Sequence, residues 1–435
     1  MTDTYFSKSF IILTICALPL MLSGCEALLG SKSDPITDDI FEQGRRDPNL
    51  VVDEVGYAAL LPFWSGFDSP TDVFVGYDQM VYVTDAQGLH VLDRAGRPSG
   101  VVIPMRGAVA VTQDRLLNVY VAARADTVIA AVSPTITWDL PAIYKIKNAN
   151  GAGPVQIVQK MIHPFLDASR AVSTTNLRFR LDRNRVDNDE LVEITGIAVL
   201  ANNDILVSRR GPRNVTGTGM APDNTVLTFT ENRDAQNARL GTMRNTTQIR
   251  TLNPNTASLL SAVGLSDITS FIAPPQRENF SASQSFLISQ GAQNINIPFR
   301  ILWIEAVQTP DGIEYRPNSN LLARDTTRAD SFLYSEGRFT NPVAMAFSAD
   351  ARGHIFVVDA AKDSLFLFQS NGLEGVNPPP GSTFSKAVNV SFGGNGNGPR
   401  QFNNPSGVAY FDRIVYVADR GNNRISRFKL NTDFE

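Results

Sequence analysis

The chain has 435 residues, 43% of them hydrophobic, enough to bury a large core and to exclude global disorder. Its formal charge of −4 argues against nucleic acid held on a basic face. Two cysteines and three histidines rule out a disulfide framework, a Cys/His zinc site and c-type haem, while 31 glycines, 25 prolines and only 19% charged residues suit a turn-rich β protein.

The chain opens with Lys8 ahead of an apolar run from Phe10 to Leu22. That run is too short, at about 1.5 Å per residue, for a hydrocarbon core of roughly 30 Å, and it fits the apolar region of an export signal. Leu22-Ser23-Gly24-Cys25 follows directly and resembles the bacterial lipobox. The resemblance implies a lipoprotein signal peptide over residues 1–24, cleavage before Cys25 and acylation of its thiol, with palmitate as an expected chain. Cys16 then leaves with the leader. Several acyl chains, at about 0.8 kcal/mol per buried CH₂, give stable anchoring. Asp3 offsets Lys8, which departs from the usual basic leader, and Glu26 in place of Asp after the cysteine favours the outer membrane. Residues 25–50 show no apolar periodicity and are expected to form a flexible tether.

From residue 51 alternation replaces helical spacing, and the expected class is all-β. Val51–Phe63 is an apolar strand candidate. A first unit runs through Phe67-Asp-Ser-Pro70, Val81-Tyr-Val-Thr-Asp85 and Leu89–Leu92. A second combines Val109–Val111, Val119–Ala122 and Ala142–Ile146, and a third Ile194–Val199, Asp204–Val207 and Thr225–Phe229. A fourth, the loosest, has Ile268–Phe271, Phe286–Ile288 and Ile301–Ile304. The fifth runs from Phe339-Thr-Asn-Pro342 through His354–Asp359 to Leu365–Phe368. The sixth has Phe402-Asn-Asn-Pro405, Ile414–Asp419 and Arg424–Phe428. Segments 147–185, 209–224 and 230–265 interrupt the pattern as insertions; the first contains the alternating Leu177-Arg-Phe-Arg-Leu181.

The Phe-x-x-Pro opening, the second strand ending in Asp and the glycine-rich Phe392–Gly398 before the last unit resemble the NHL repeat. The resemblance implies a six-bladed β-propeller of four-stranded blades over residues 51–435. One blade packed alone leaves its faces bare, so the ring must close. The sixth unit offers only three strands, and the amino-terminal strand is expected to complete it and cover its edge.

The repeated Asp85, Asp359 and Asp419 stand where a carboxylate accepts turn N–H groups or pairs with an arginine such as Arg424. Ser69, Glu193, Asn341 and Asn404 precede first strands and, with Arg106, are expected at the channel mouth. Converging oxygens there could hold Ca²⁺, as an axial metal does in the propeller lactonases that the fold resembles, although Arg106 would repel it. Asp182, Asn184 and Asp187-Asn-Asp-Glu190 form an acidic cluster without the order of an EF-hand, and read as a solvated turn. Arg178 and Arg180 suit an anionic glycan or a lipid headgroup, or the wet face of a strand. His90, His163 and His354 form no dyad with a nucleophile, and neither a Gly-x-Ser-x-Gly elbow nor a phosphate loop before a helix is present. The expectation is a lipid-anchored recognition or scaffold propeller, with an envelope protein or a glycan as partner and no nucleic acid. The alternative is a lactonase-like hydrolase or lyase with axial calcium.

Overall fold

The computed structural model describes residues 54–129, 136–163, 189–215, 222–275, 284–291 and 295–434. The leader, Cys25, the tether, Arg178, Arg180 and the acidic residues 182–187 therefore lie outside the described residues. Among the described residues no helix is long and apolar enough to cross a membrane.

Two short strands come first, β1 (Tyr57–Ala59) and β2 (Trp64–Ser65). Blade 1 follows with β3 (Asp72–Val75), β4 (Val81–Thr84), β5 (Gly88–Leu92) and β6 (Ile103–Pro104). Blade 2 has β7 (Ala110–Gln113), β8 (Val119–Ile129), β9 (Ile136–Lys147) and β10 (Gln156–Ile162). Blade 3 has β11 (Glu193–Val199), β12 (Ile205–Arg210), β13 (Thr225–Arg233) and β14 (Arg239–Gln248). Blade 4 has β15 (Leu265–Ser270), β16 (Phe286–Gln290), β17 (Ile301–Thr309) and β18 (Gly312–Pro317). Blade 5 has β19 (Pro342–Phe347), β20 (Ile355–Asp359), β21 (Ser364–Phe368) and β22 (Phe392–Gly393); blade 6 has β23 (Gly407–Phe411), β24 (Ile414–Asp419) and β25 (Arg424–Leu430). Each blade is an antiparallel sheet whose first strand neighbours the first strand of the next, and β23 returns to β3. The fold is a six-bladed β-propeller.

The alternating pattern explains the closure. Successive side chains of a strand point to opposite faces, and in a propeller both faces meet another blade. On β4, Val81 and Val83 enter the layer shared with blade 6, whereas Tyr82 enters the layer shared with blade 2. On β24, Val415 and Val417 face blade 5 while Tyr416 and Ala418 face blade 1. The core is thus six apolar layers, one in each interface.

The chain's beginning completes blade 6. Tyr57, Ala58 and Ala59 of β1 pair with Leu430, Lys429 and Phe428 of β25, and Trp64 of β2 pairs with Ile425. Asn431 donates its backbone N–H to the Gly56 carbonyl (2.8 Å), and its side chain donates to the Glu54 carbonyl (2.6 Å). The Arg352 guanidinium holds the Asp433 carboxylate through two bonds of 2.7 and 2.5 Å, tying the end of the chain to blade 5.

Two expected insertions are in part sheet. Segment 147–185 contains β10, and 230–265 contains β14, the outer strands of blades 2 and 3. β14 reads Arg-Leu-Gly-Thr-Met-Arg-Asn-Thr-Thr-Gln and is mostly exposed or half-buried, so an outer edge with only Met243 fully buried carries almost no apolar alternation. Phe392 and Gly393 are likewise the outer strand of blade 5, and not merely a lead-in to blade 6.

Candidate functional site

In a propeller the first strands begin at one face, here called the entry face, and the turn joining second to third strands lies on the same face. The repeated aspartates sit there. Asp85 accepts the N–H groups of Asp68 (2.9 Å), Gln87 (2.8 Å) and Gly88 (3.1 Å), with His90 Nε2 at 2.7 Å. Asp359 accepts from Thr340 (2.6 Å), Asn341 (3.1 Å), Ala361 (3.0 Å) and Lys362 (3.2 Å). Asp419 accepts from the Asn403 N–H (2.8 Å), Asn422 Nδ2 (2.8 Å) and Arg424 Nε (2.8 Å). Each carboxylate locks the Phe-x-x-Pro segment onto its own hairpin, so these residues build the blade. In blade 4 the same place is held by Gln290, whose Oε1 accepts the Val263 N–H at 2.8 Å.

Blades 2 and 3 have lost the lock: Ala123 and Arg209 stand at that position. They are also the blades most built up on the entry face. β8 and β9, of 11 and 12 residues, pair as far as Ile129 and Ile136, well beyond the 4-residue β7 beside them. Arg106 bridges the extension, reaching Asp126 at 2.6 Å and Asp139 at 3.0 Å, and Arg124 meets Asp139 at 2.9 Å. Glu193 faces Arg210 of the next strand at 2.6 Å. Behind them Arg209, fully buried, donates to the carbonyls of Asp223 (3.2 Å) and Pro222 (2.9 Å). His163 Nε2 lies 3.0 Å from Asp189, and Glu190 accepts the Asp139 N–H at 3.0 Å. The acidic segment was expected to be a solvated turn; Asp189 is instead buried, paired with His163 and with Arg213 at 3.4 Å. Folded loop, not water, satisfies this carboxylate, because two basic groups from separate loops reach it.

The five mouth candidates take individual places. Arg106 and Glu193 belong to the built-up sector just described. Ser69 and Asn404 occupy equivalent left-handed turns, φ 53° and 50°, and each has its N–H capped from the preceding blade: Ser69 by Asn423 (2.8 Å), Asn404 by Asp363 (2.6 Å). The Asn341 N–H is taken by Asp359. None of the five lines the axial cavity. Ca²⁺ takes six to eight hard oxygens. Among the described residues no three His, Cys, Asp or Glu side chains gather, and Glu193, the anion among the five, is already neutralised by Arg210. The five mouth candidates do not form an axial calcium site.

The axis itself holds a pattern spread over the six units. The position at which the inner strands approach most closely reads Asp72, Ala110, Gly196, Asp267, Ala344 and Gly407 around the ring: Asp-Ala-Gly, twice. Opposite blades 1 and 4 therefore carry the acids. Asp72 accepts the N–H of Val73 (2.8 Å) and of Val111 in blade 2 (2.9 Å), and Asp267 likewise accepts that of Met345 in blade 5 (2.7 Å). The glycines make room. A Cβ on Gly196 would stand 2.5 Å from Asp267 Oδ1, and one on Gly407 would stand 2.7 Å from the Asp72 Cα. One position earlier, hydroxyls stitch blades together: Thr71 donates to Ala108 O (2.8 Å), Ser266 to Pro342 O (2.6 Å) and Ser406 to Pro70 O (2.7 Å).

Asp72 and Asp267 line one cavity with Val111, Met345 and Tyr410. The cavity has a volume of about 70 Å³, space for a few waters. Both carboxyls keep some surface toward this cavity although protein surrounds them. Burial pushes the Asp72 carboxyl up to about 7 against its two N–H bonds. Burial, and then repulsion by Asp72, pushes Asp267 well above the carboxylate range.

The family model described as NHL repeat matches residues 402–428. No curated protein matches the chain. Among solved structures, an auxiliary nutrient binding protein from Bacteroides thetaiotaomicron VPI-5482 shares 12% identity at a TM-score of 0.45, over 84% of this chain and 70% of its own. A virginiamycin B lyase from Staphylococcus aureus shares 10% at 0.40, over 87% and 100%. A gluconolactonase from Xanthomonas campestris shares 8% at 0.41, over 89% and 93%. Likeness at this level says nothing of what the present chain binds or turns over. The matched repeat lies in blade 6 of six sheets closed into a ring, so the chain is a six-bladed β-propeller that carries an NHL repeat at residues 402–428.

Proposed function

We propose that the chain is a lipid-anchored cell-envelope protein, held through Cys25 on the outer membrane, whose propeller recognises another envelope protein or a glycan without catalysing a reaction. The observation that carries this reading is the asymmetry of the ring. Four blades keep a compact hydrogen-bonded lock at the entry face, whereas adjacent blades 2 and 3 exchange it for a long hairpin and a charged rim of Arg106, Asp126, Asp139, Glu193 and Arg210. A rigid scaffold with one elaborated sector suits recognition, since loops carry the contacts and the sheet fixes their geometry.

Two measurements test the reading. Cys25→Ala is expected to move the protein from the membrane fraction to the soluble one; unchanged membrane association overturns the anchor. A photo-crosslinking residue placed at Glu193 is expected to give adducts in intact cells. The same residue at Asn237, exposed on the opposite face, is expected to give none. Equal labelling from both places, or calcium-dependent lactone turnover by the purified protein, overturns the recognition role.

A further inference from the structure

Asp72 and Asp267 stand at equivalent positions of opposite blades and face the same cavity of about 70 Å³. Each joins its own blade to the next through a backbone N–H, Asp72 to Val111 and Asp267 to Met345. The inner strands β3, β7, β11, β15, β19 and β23 surround them. The titratable groups these strands present to the cavity are Asp72, Asp267 and Tyr410, and the Tyr410 hydroxyl is turned away onto Asp350 at 2.5 Å. Among the described residues no lysine, arginine or histidine lines it. Two like charges in a small, poorly solvated space cannot both ionise cheaply, and the surroundings supply no cation to offset them.

We propose that Asp72 and Asp267 form a charge-coupled pair at the waist of the channel, each raising the cost of ionising the other, so that gain or loss of a proton there tightens or loosens the ring at the 1–2 and 4–5 interfaces. The proton comes from solvent through the channel and returns to it. The glycines agree with this arrangement, because Gly196 and Gly407 are what allow the acids to fold inward between blades. The raised carboxyls fix the sign of the linkage. Both bind protons more tightly folded than unfolded, so stability is greatest below the unfolded value of about 4 and declines as pH climbs through about 7 and beyond. His354 acts in the opposite direction. Burial lowers it to about 4, so it weakens the fold as pH falls below its ordinary 6.5. The pair is therefore read between pH 6.5 and 8.5 as the difference between variants, which share the His354 contribution that fades out above its ordinary 6.5.

The experiment compares the full chain with Asp72→Asn, Asp267→Asn and the double variant. Asn keeps an oxygen for the cross-blade N–H and removes the charge. The native protein is expected to lose a few degrees of melting temperature from pH 6.5 to 8.5. Each single variant should show a smaller slope, and the double variant a flat one, with a higher melting temperature at pH 8.5 than the native chain. Carbon NMR of aspartate-labelled protein should show two coupled carboxyl titrations, and the remaining carboxyl should titrate lower in either single variant, its like-charged neighbour being gone. Both carboxyls already ionised at pH 6.5, or an undiminished slope in the double variant, overturns the proposal. Should Asn at 267 prevent folding, Asp72→Asn alone decides, since either change breaks the pair.

Discussion

At the scale of single residues, one position on the inner strand decides how closely the blades approach. Its occupants are two acids, two alanines and two glycines, and the order is set by volume. An acid can fold sideways only if the blade before it presents hydrogen in place of a side chain. Gly407→Ala would place a methyl 2.7 Å from the Asp72 Cα and 2.8 Å from its Oδ1, and backbone on backbone cannot be relieved by a rotamer change. The expected cost is about 1–3 kcal/mol, as for other overpacked sites. Gly196→Ala is expected to cost somewhat less, because its nearest obstacle is the movable Asp267 carboxylate and the backbone it meets, Ile268 N, stands at 2.8 Å. Urea unfolding of the two variants checks the order, and equal destabilisation would show that the strands shift instead. This ring was in the sequence all along. Asp72 and Gly407 fall at the same place of Phe-x-x-Pro-x-x, but Asp267 lies in the unit that lacks that signature, so its equivalence to Asp72 required the register. The lock aspartates were legible for the opposite reason: three copies share one place before a polar turn, where a carboxylate has N–H groups to accept.

At the scale of elements, middle strands announce themselves and outer strands do not. A strand buried between two blades must be apolar on both faces, and β4, β20 and β24 show it. An outer strand packs little and tolerates Thr, Asn and Arg, which is how β14 passed for an insertion. β1 is an outer strand with one strongly apolar residue. Tyr57 is buried in the layer between blades 5 and 6, its ring centre 6.3 Å from that of Phe356 and 6.1 Å from that of Phe392. Tyr57→Ala is expected to cost about 3–4 kcal/mol through the cavity it leaves, against less than about 1 kcal/mol for Ala59→Ser on the half-buried end of the same strand. Thermal unfolding checks both. A small effect at Tyr57 would mean that β1 merely covers the edge of blade 6 and does not bind it to blade 5.

At the scale of the whole molecule, six layers shared by adjacent blades leave no blade able to unfold alone without baring two neighbours. The weak point of such a ring is the sheet made from both ends of the described chain. In the ladder between β1 and β25, Asn431 donates to Gly56 and Leu60 donates to Arg427 at 2.8 Å. Bonded pairs alternate in antiparallel sheets, so Ala58, midway between Gly56 and Leu60, is in a bonded pair with Lys429. Ala58→Pro removes that N–H and leaves a carbonyl unsatisfied, costing about 1–3 kcal/mol before any steric term. If β1 were a detachable cover, the variant would shed it and the other five blades would melt as before, giving two transitions. Closure through shared layers predicts otherwise. Freed Tyr57 opens the 5–6 layer, blade 6 loses its hold on blade 5, and the 6–1 layer around Trp64 follows, because β2 pairs with the same β25. Calorimetry of the variant is therefore expected to show a single transition at lower temperature, with the unfolding enthalpy still that of the whole ring; a separate early transition with most of the enthalpy left in a second would show blades that stand independently.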